Sequence, residues 1–158
     1  MPALTLVTEI RAPIERVFDL SRSIDLHQAS MTGRDETAVA GVTSGLIGLG
    51  ESVTWRARHF GVVQRLTSRI TALERPHHFR DAMVSGVFAR FDHDHHFAPI
   101  PGGTRMTDVF DYTSPLGPLG RLADAIFLAR YMRALLDERN RVIKEVAESE
   151  RWRAFLPG

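Results

Sequence analysis

Cysteine is absent from this 158-residue chain, which excludes disulfides, a thiolate nucleophile and any cysteine-bound metal. Lysine is almost absent, since Lys144 is the only one among 20 basic residues. Charge of one sign is lacking as well: 20 basic against 19 acidic residues leave a net charge of +1. That balance gives no general attraction to nucleic acid, and no nucleic-acid partner is expected. No apolar run approaches the ~20 residues of a membrane span, so stable membrane insertion is not expected. The opening MPALTLVTEIRAP lacks the basic start and long apolar stretch of a signal peptide. These absences point to a cytoplasmic protein. What is present is ordinary for a globular domain, with 44% hydrophobic and 25% charged residues. The chain is read as one domain over residues 1–158, large enough for a full core.

Hydrophobic periodicity sets the order of elements. Leu4 to Arg11 alternates as a strand, with Leu4, Leu6 and Ile10 on one face and Glu9 and Arg11 on the other. Ala12-Pro13 ends it, and Pro13 suits the first turn of a helix over Ile14 to Leu20. A second short helix is expected over Ile24 to Met31, and strand signals resume at Glu36 to Ala40. GVTSGLIGLG, residues Gly41 to Gly50, has no Lys-Ser/Thr and no helix after it, so it is not a phosphate loop. It reads as a flexible apolar loop, a gate or cavity wall in which Leu46 meets ligand. Strands follow over Glu51 to Phe60, Val62 to Leu73, Phe79 to Ser85, Phe91 to Phe97 and Arg105 to Tyr112. From Leu119 to about Glu148 the period changes to 3.6, predicting one long amphipathic helix. Six strands after two short helices cannot cover both their own faces, and the long helix is the natural cover. The fold class is α+β: a curved antiparallel sheet of about seven strands around a C-terminal helix.

In the last three strands every arginine falls on one face. The other face carries Asp81, His93, His95 and Asp108 among apolar side chains, where burial is costly unless the groups pair, bind metal or line a solvated cavity. A turn symmetric about Phe88 sets Asp81 opposite His95 and Met83 opposite His93. A two-residue slip sets His93 beside Asp81 instead. A second turn centred between Pro101 and Gly102 sets His95 opposite Asp108 and His93 opposite Phe110. An imidazole between two carboxylates holds its proton more strongly. The same phase sends Trp55, His59, Gln64, Leu66, Phe91 and Tyr112 inward, while Ile126 looks in from the helix. Three readings stay open for the polar row: a satisfied network closing a cavity wall, acid–base catalysis by His95 or His93, and a metal held by the His-x-His pair with a carboxylate. With no third histidine clearly placed, neither a metal nor a cofactor is expected.

The stretches IRAPIERVFDLSRSIDLH, GVTSGLIGLGE, RPHHFRDAMVSGVFARFDHDHHF and GGTRMTDVFDYTSPLGPLGRLAD, with the element order, resemble the START-like superfamily of helix-grip proteins over essentially the whole chain. That group includes polyketide cyclase-like, coenzyme Q-binding-like and plant allergen-like domains. The resemblance implies a hydrophobic small molecule (lipid, quinone or polyketide-like) held between sheet and C-terminal helix. It leaves activity open, because a shared fold does not fix chemistry. The alternatives are a cyclase or dehydratase using the inward histidines and aspartates, without metal, and a protein-interaction domain docking through the C-terminal helix or the Trp152 tail. Phe127, Leu128 and Tyr131 lie outside a single apolar stripe, which makes a homodimer an expectation too.

Overall fold

The computed structural model describes residues 3–30, 36–59, 61–114, 118 and 127–157. Strand β1 (Ala3–Ile10) leads into helices α1 (Ile14–Ser21) and α2 (Ile24–Ser30). Strands β2 (Thr37–Gly41), β3 (Ser52–His59), β4 (Val62–Glu74), β5 (His78–Ser85), β6 (Arg90–Ile100) and β7 (Gly103–Thr113) follow, then helix α3 (Ala129–Ala147). The seven strands make one antiparallel sheet in the order β1-β7-β6-β5-β4-β3-β2. The chain therefore starts at one edge, crosses to the other through α1 and α2, and returns by successive hairpins. The predicted helix start at Leu119 lies outside the described residues, as does Ile126.

Alternation is strict where it matters. Phe91, His93, His95 and Phe97 of β6, and Thr104, Met106, Asp108, Phe110 and Tyr112 of β7, are all buried. The β6–β7 hairpin runs further than expected, to Ile100 and from Gly103, because it closes at Pro101–Gly102, where Gly102 takes a positive φ of 79°. Helix α3 lies against β1, α1 and α2 and buries Leu135, Leu136, Arg139, Asn140, Ile143, Val146 and Ala147.

The interior has two apolar clusters. One gathers Phe18 against Phe79 and Phe97 edge to face, at 5.4 and 5.2 Å, with Ile10, Leu20, Met106 and Ile143. The other joins Phe88, Phe91, Phe110 and Tyr112 with Leu4, Leu6 and Leu136. Such aromatic pairs add about 0.5–1.5 kcal/mol each beyond their buried area.

One segment differs from expectation. The glycine-rich segment is pinned: Gly45 O accepts from Ile24 N, Arg22 O from Ile47 N, Ile70 O from Gly50 N, and Asp25 Oδ2 from Gly45 N at 2.8 Å. The tail turns back as a 3-10 turn over Glu150–Ala154. Its Trp152, Phe155 and Leu156 pack on the first cluster, and the Arg16 guanidinium stacks 4.2 Å from the Trp152 ring. No described helix is long and apolar enough to cross a membrane.

Candidate functional site

A cavity of about 530 Å³ lies between the sheet and α3, within the 300–1,000 Å³ typical of small-molecule pockets. Its walls are mostly apolar. Phe88, Phe91, Phe110 and Leu66 form one side, Ile24, Ile47, Val53 and Trp55 another, and Leu128 with Met132, Leu135 and Leu136 of α3 closes it. Leu128 and Tyr131 face this cavity, which accounts for two of the three helix residues that suggested a dimer; Phe127 stays 70% exposed.

One wall is polar. The β5–β6 register pairs Asp81 with His93 and Phe79 with His95, so the slipped alternative holds and the turn symmetric about Phe88 does not. Phe88 instead tucks into the aromatic cluster, moving the centre of the turn to Val87. The β6–β7 register sets His95 opposite Asp108 and His93 opposite Phe110, as expected. Hydrogen bonds then run diagonally: His95 Nε2 to Asp81 Oδ1 at 2.7 Å and His93 Nε2 to Asp108 Oδ1 at 2.9 Å. The two imidazoles stack with centroids 3.8 Å apart, and Phe79 covers the far face of His95 at 4.1 Å. His95 Nδ1 lies 3.1 Å from Asp108 Oδ1, yet it is buried without a hydrogen-bond partner. The distance would permit a bond and the alignment does not, so the contact acts through charge alone.

Helix α3 supplies what sequence reading missed. Asn140 Nδ2 donates to Asp108 Oδ2 at 2.8 Å, and Arg139 Nη1 donates to Asn140 Oδ1 at 3.0 Å. Arg139 Nη2 donates to the Ser21 carbonyl at 3.1 Å, and Nη1 stands 3.6 Å from Asp108 Oδ1. Both residues were detectable, because Leu136, Asn140 and Ile143 fall on one face at spacings of four and three.

The electrostatics separate the two histidines. Burial opposes a charge on His95, but the carboxylates of Asp108 and Asp81 beside it outweigh that and raise the pKa above 6.5. Burial, then the neighbouring His95 charge, lowers His93 below 6.5 despite Asp108. Burial works against ionisation of both carboxyls, and their histidine partners overcome it, holding Asp81 below 3.8 and Asp108 well below. With His95 protonated, two carboxylates, one imidazolium and the Arg139 guanidinium sum to neutrality, the condition under which buried charge is tolerable. Asp81, His93 and His95 present ligand atoms within 4.8 Å of one another.

The remaining predicted residues divide. Asp81, His93, His95, Trp55, His59, Gln64, Leu66, Phe91 and Phe110 line the cavity. His59 Nδ1 lies 2.6 Å from the Tyr131 hydroxyl. His27 also lines it, tilted against Trp55 with ring centroids 4.3 Å apart and Nε2 2.6 Å from Glu36 Oε1. Asp108 is fully buried behind the histidines. Tyr112 is buried in the aromatic cluster, off the cavity, and Met83 packs against the same cluster. Leu46 bridges to Ser23, and its neighbour Ile47 takes the wall position. On the outer face His78 and Arg80 both bind Asp94, at 2.7 and 2.9 Å, in a solvated charge pair.

Comparison with known proteins agrees with this architecture. A protein from Chromobacterium violaceum superposes with a TM-score of 0.73 at 16% identity, covering 94% of this chain and 99% of that one. A START superfamily protein from Mycobacterium smegmatis gives 0.68 at 11% identity, covering 92% and 97%. Major latex-like protein 151 of Panax ginseng gives 0.68 at 15%, covering 94% and 98%. Likeness at these identities establishes the helix-grip fold alone. No curated protein matches the sequence. The family model described as polyketide cyclase / dehydrase and lipid transport matches residues 1–148, and the chain belongs to that family.

Proposed function

We propose that this protein binds a mostly apolar small molecule, of lipid, quinone or polyketide type, between its sheet and α3. The observation that carries the reading is the mostly apolar cavity of about 530 Å³ with the His93–His95–Asp81 row on one wall. Apolar lining supplies affinity, and a few fixed polar groups orient the guest. Native mass spectrometry after gentle purification is expected to show a bound compound that is lost in Leu136→Trp, whose larger ring fills the space. An empty wild-type protein that takes up no apolar probe would overturn the reading.

A second reading, an acid–base enzyme of cyclase or dehydratase type, is favoured by one observation. Two stacked imidazoles with proton affinities shifted in opposite directions, His95 upward and His93 downward, stand on the cavity wall beside Asp108. Such a pair presents a proton donor and a proton acceptor at one place. Asp108→Asn is expected to abolish turnover of a polyketide-like substrate while ligand affinity stays within a few fold; undiminished turnover would remove it.

A further inference from the structure

The polar wall has a polarity of its own. Several of its donors are used within the protein: His95 Nε2 on Asp81, Asn140 Nδ2 on Asp108, and one bond from each terminal nitrogen of Arg139, to Asn140 and the Ser21 carbonyl. Two of its acceptors are not. Asp108 accepts from His93 Nε2, which makes that nitrogen the protonated one and leaves a bare lone pair on Nδ1 of the neutral ring. Among the described residues nothing donates to His93 Nδ1; the nearest charged atom is Asp81 Oδ1 at 3.8 Å, itself an acceptor. Asp81 takes His95 on Oδ1 alone, so its second oxygen has no partner among the described residues. The Asp81 side chain keeps 22% exposure, and both Asp81 and His93 line the cavity.

Resting on the binding reading above, we propose that the ligand is an apolar skeleton bearing a hydroxyl, phenol or alcohol, whose hydrogen is received by His93 Nδ1 or Asp81 Oδ2. A ligand that ends in an ether or ketone brings only further acceptors to this wall. A carboxylate brings a like charge beside Asp81. Both leave buried acceptors unpaired, which is the kind of mismatch on which hydrogen-bonding sites discriminate most strongly.

The test compares three probes of one skeleton, β-naphthol, its methyl ether and the matching naphthoic acid, titrated into the full chain near neutral pH. β-Naphthol is expected to bind at least about tenfold more tightly than the ether, the scale of one hydrogen bond to a charged or buried acceptor. It is expected to exceed the naphthoate by a larger factor. His93→Phe is expected to shrink the naphthol-to-ether ratio, and Asp81→Asn, which places a donor on the same wall, to shrink it as well. If one variant does not fold, the other gives the readout. Naphthol and ether binding equally well would overturn this inference and leave the apolar cavity reading standing, as would naphthoate binding best. Failure of all three probes to bind would overturn both.

Discussion

His93 and His95 stand two residues apart on one strand, ring upon ring, with proton affinities shifted in opposite directions. Each shift is also a contribution to stability, and the signs differ. His95 is raised by folding, so its contribution is present below its unfolded value of 6.5 and is lost as pH climbs through the higher folded value. His93 is lowered, so its contribution is present above 6.5 and is lost as pH falls toward the folded value. Asp81 and Asp108 are lowered as well, and theirs vanishes below about 3.8. The pair should therefore give an unfolding free energy that peaks near pH 6.5. Urea unfolding measured on both sides of pH 6.5 is expected to show it. His95→Gln removes the alkaline decline, and His93→Gln removes the acid one. Identical profiles for wild type and both variants would contradict the assignment. The inward placement of all four polar residues was legible in the sequence, because side-chain direction in a strand follows parity alone. The partner of each was not. Diagonal pairing depends on where the β5–β6 turn is centred, and burial of Phe88 decides that from outside the strands.

At the scale of elements, strand and helix identities followed from the change of period at the end of the sheet, and boundaries missed by a few residues where turns close more tightly than a generic loop. The longest miss is the β6–β7 hairpin, whose extension brings Gly103 against the end of β1. A Cβ built there meets the Ile10 carbonyl oxygen at 2.1 Å and Arg11 Cα at 3.0 Å. Both are backbone atoms that cannot turn aside. At Gly86 the first clash, at 2.4 Å, is with Leu66 Cδ1, the far end of a flexible side chain. Gly103→Ala is thus expected to cost about 1–3 kcal/mol and Gly86→Ala clearly less, read from urea midpoints at constant slope. Equal costs would mean that β1 and β7 separate freely at that corner. Arg139 and Asn140 teach a related lesson about α3. Their places on its buried stripe follow from periodicity, but a reading that counts only apolar residues passes over them.

For the whole molecule, element order sufficed to anticipate a sheet wrapped on one helix. What order could not supply is the ownership of the aromatic and apolar residues that border it. Leu128 and Tyr131 line the cavity, and Trp152, Phe155 and Leu156 pack against the molecule's own core. Those assignments depend on three-dimensional distance, which periodicity does not encode. The space they enclose also has a mechanical consequence. Unfolding under hydrostatic pressure is driven by the loss of internal void, and the apolar part of these walls holds water poorly. A hollow of about 530 Å³ should make the ligand-free protein yield at lower pressure than Leu136→Trp or the loaded form. High-pressure fluorescence would rank the three, and this chain would then report occupancy through its compressibility.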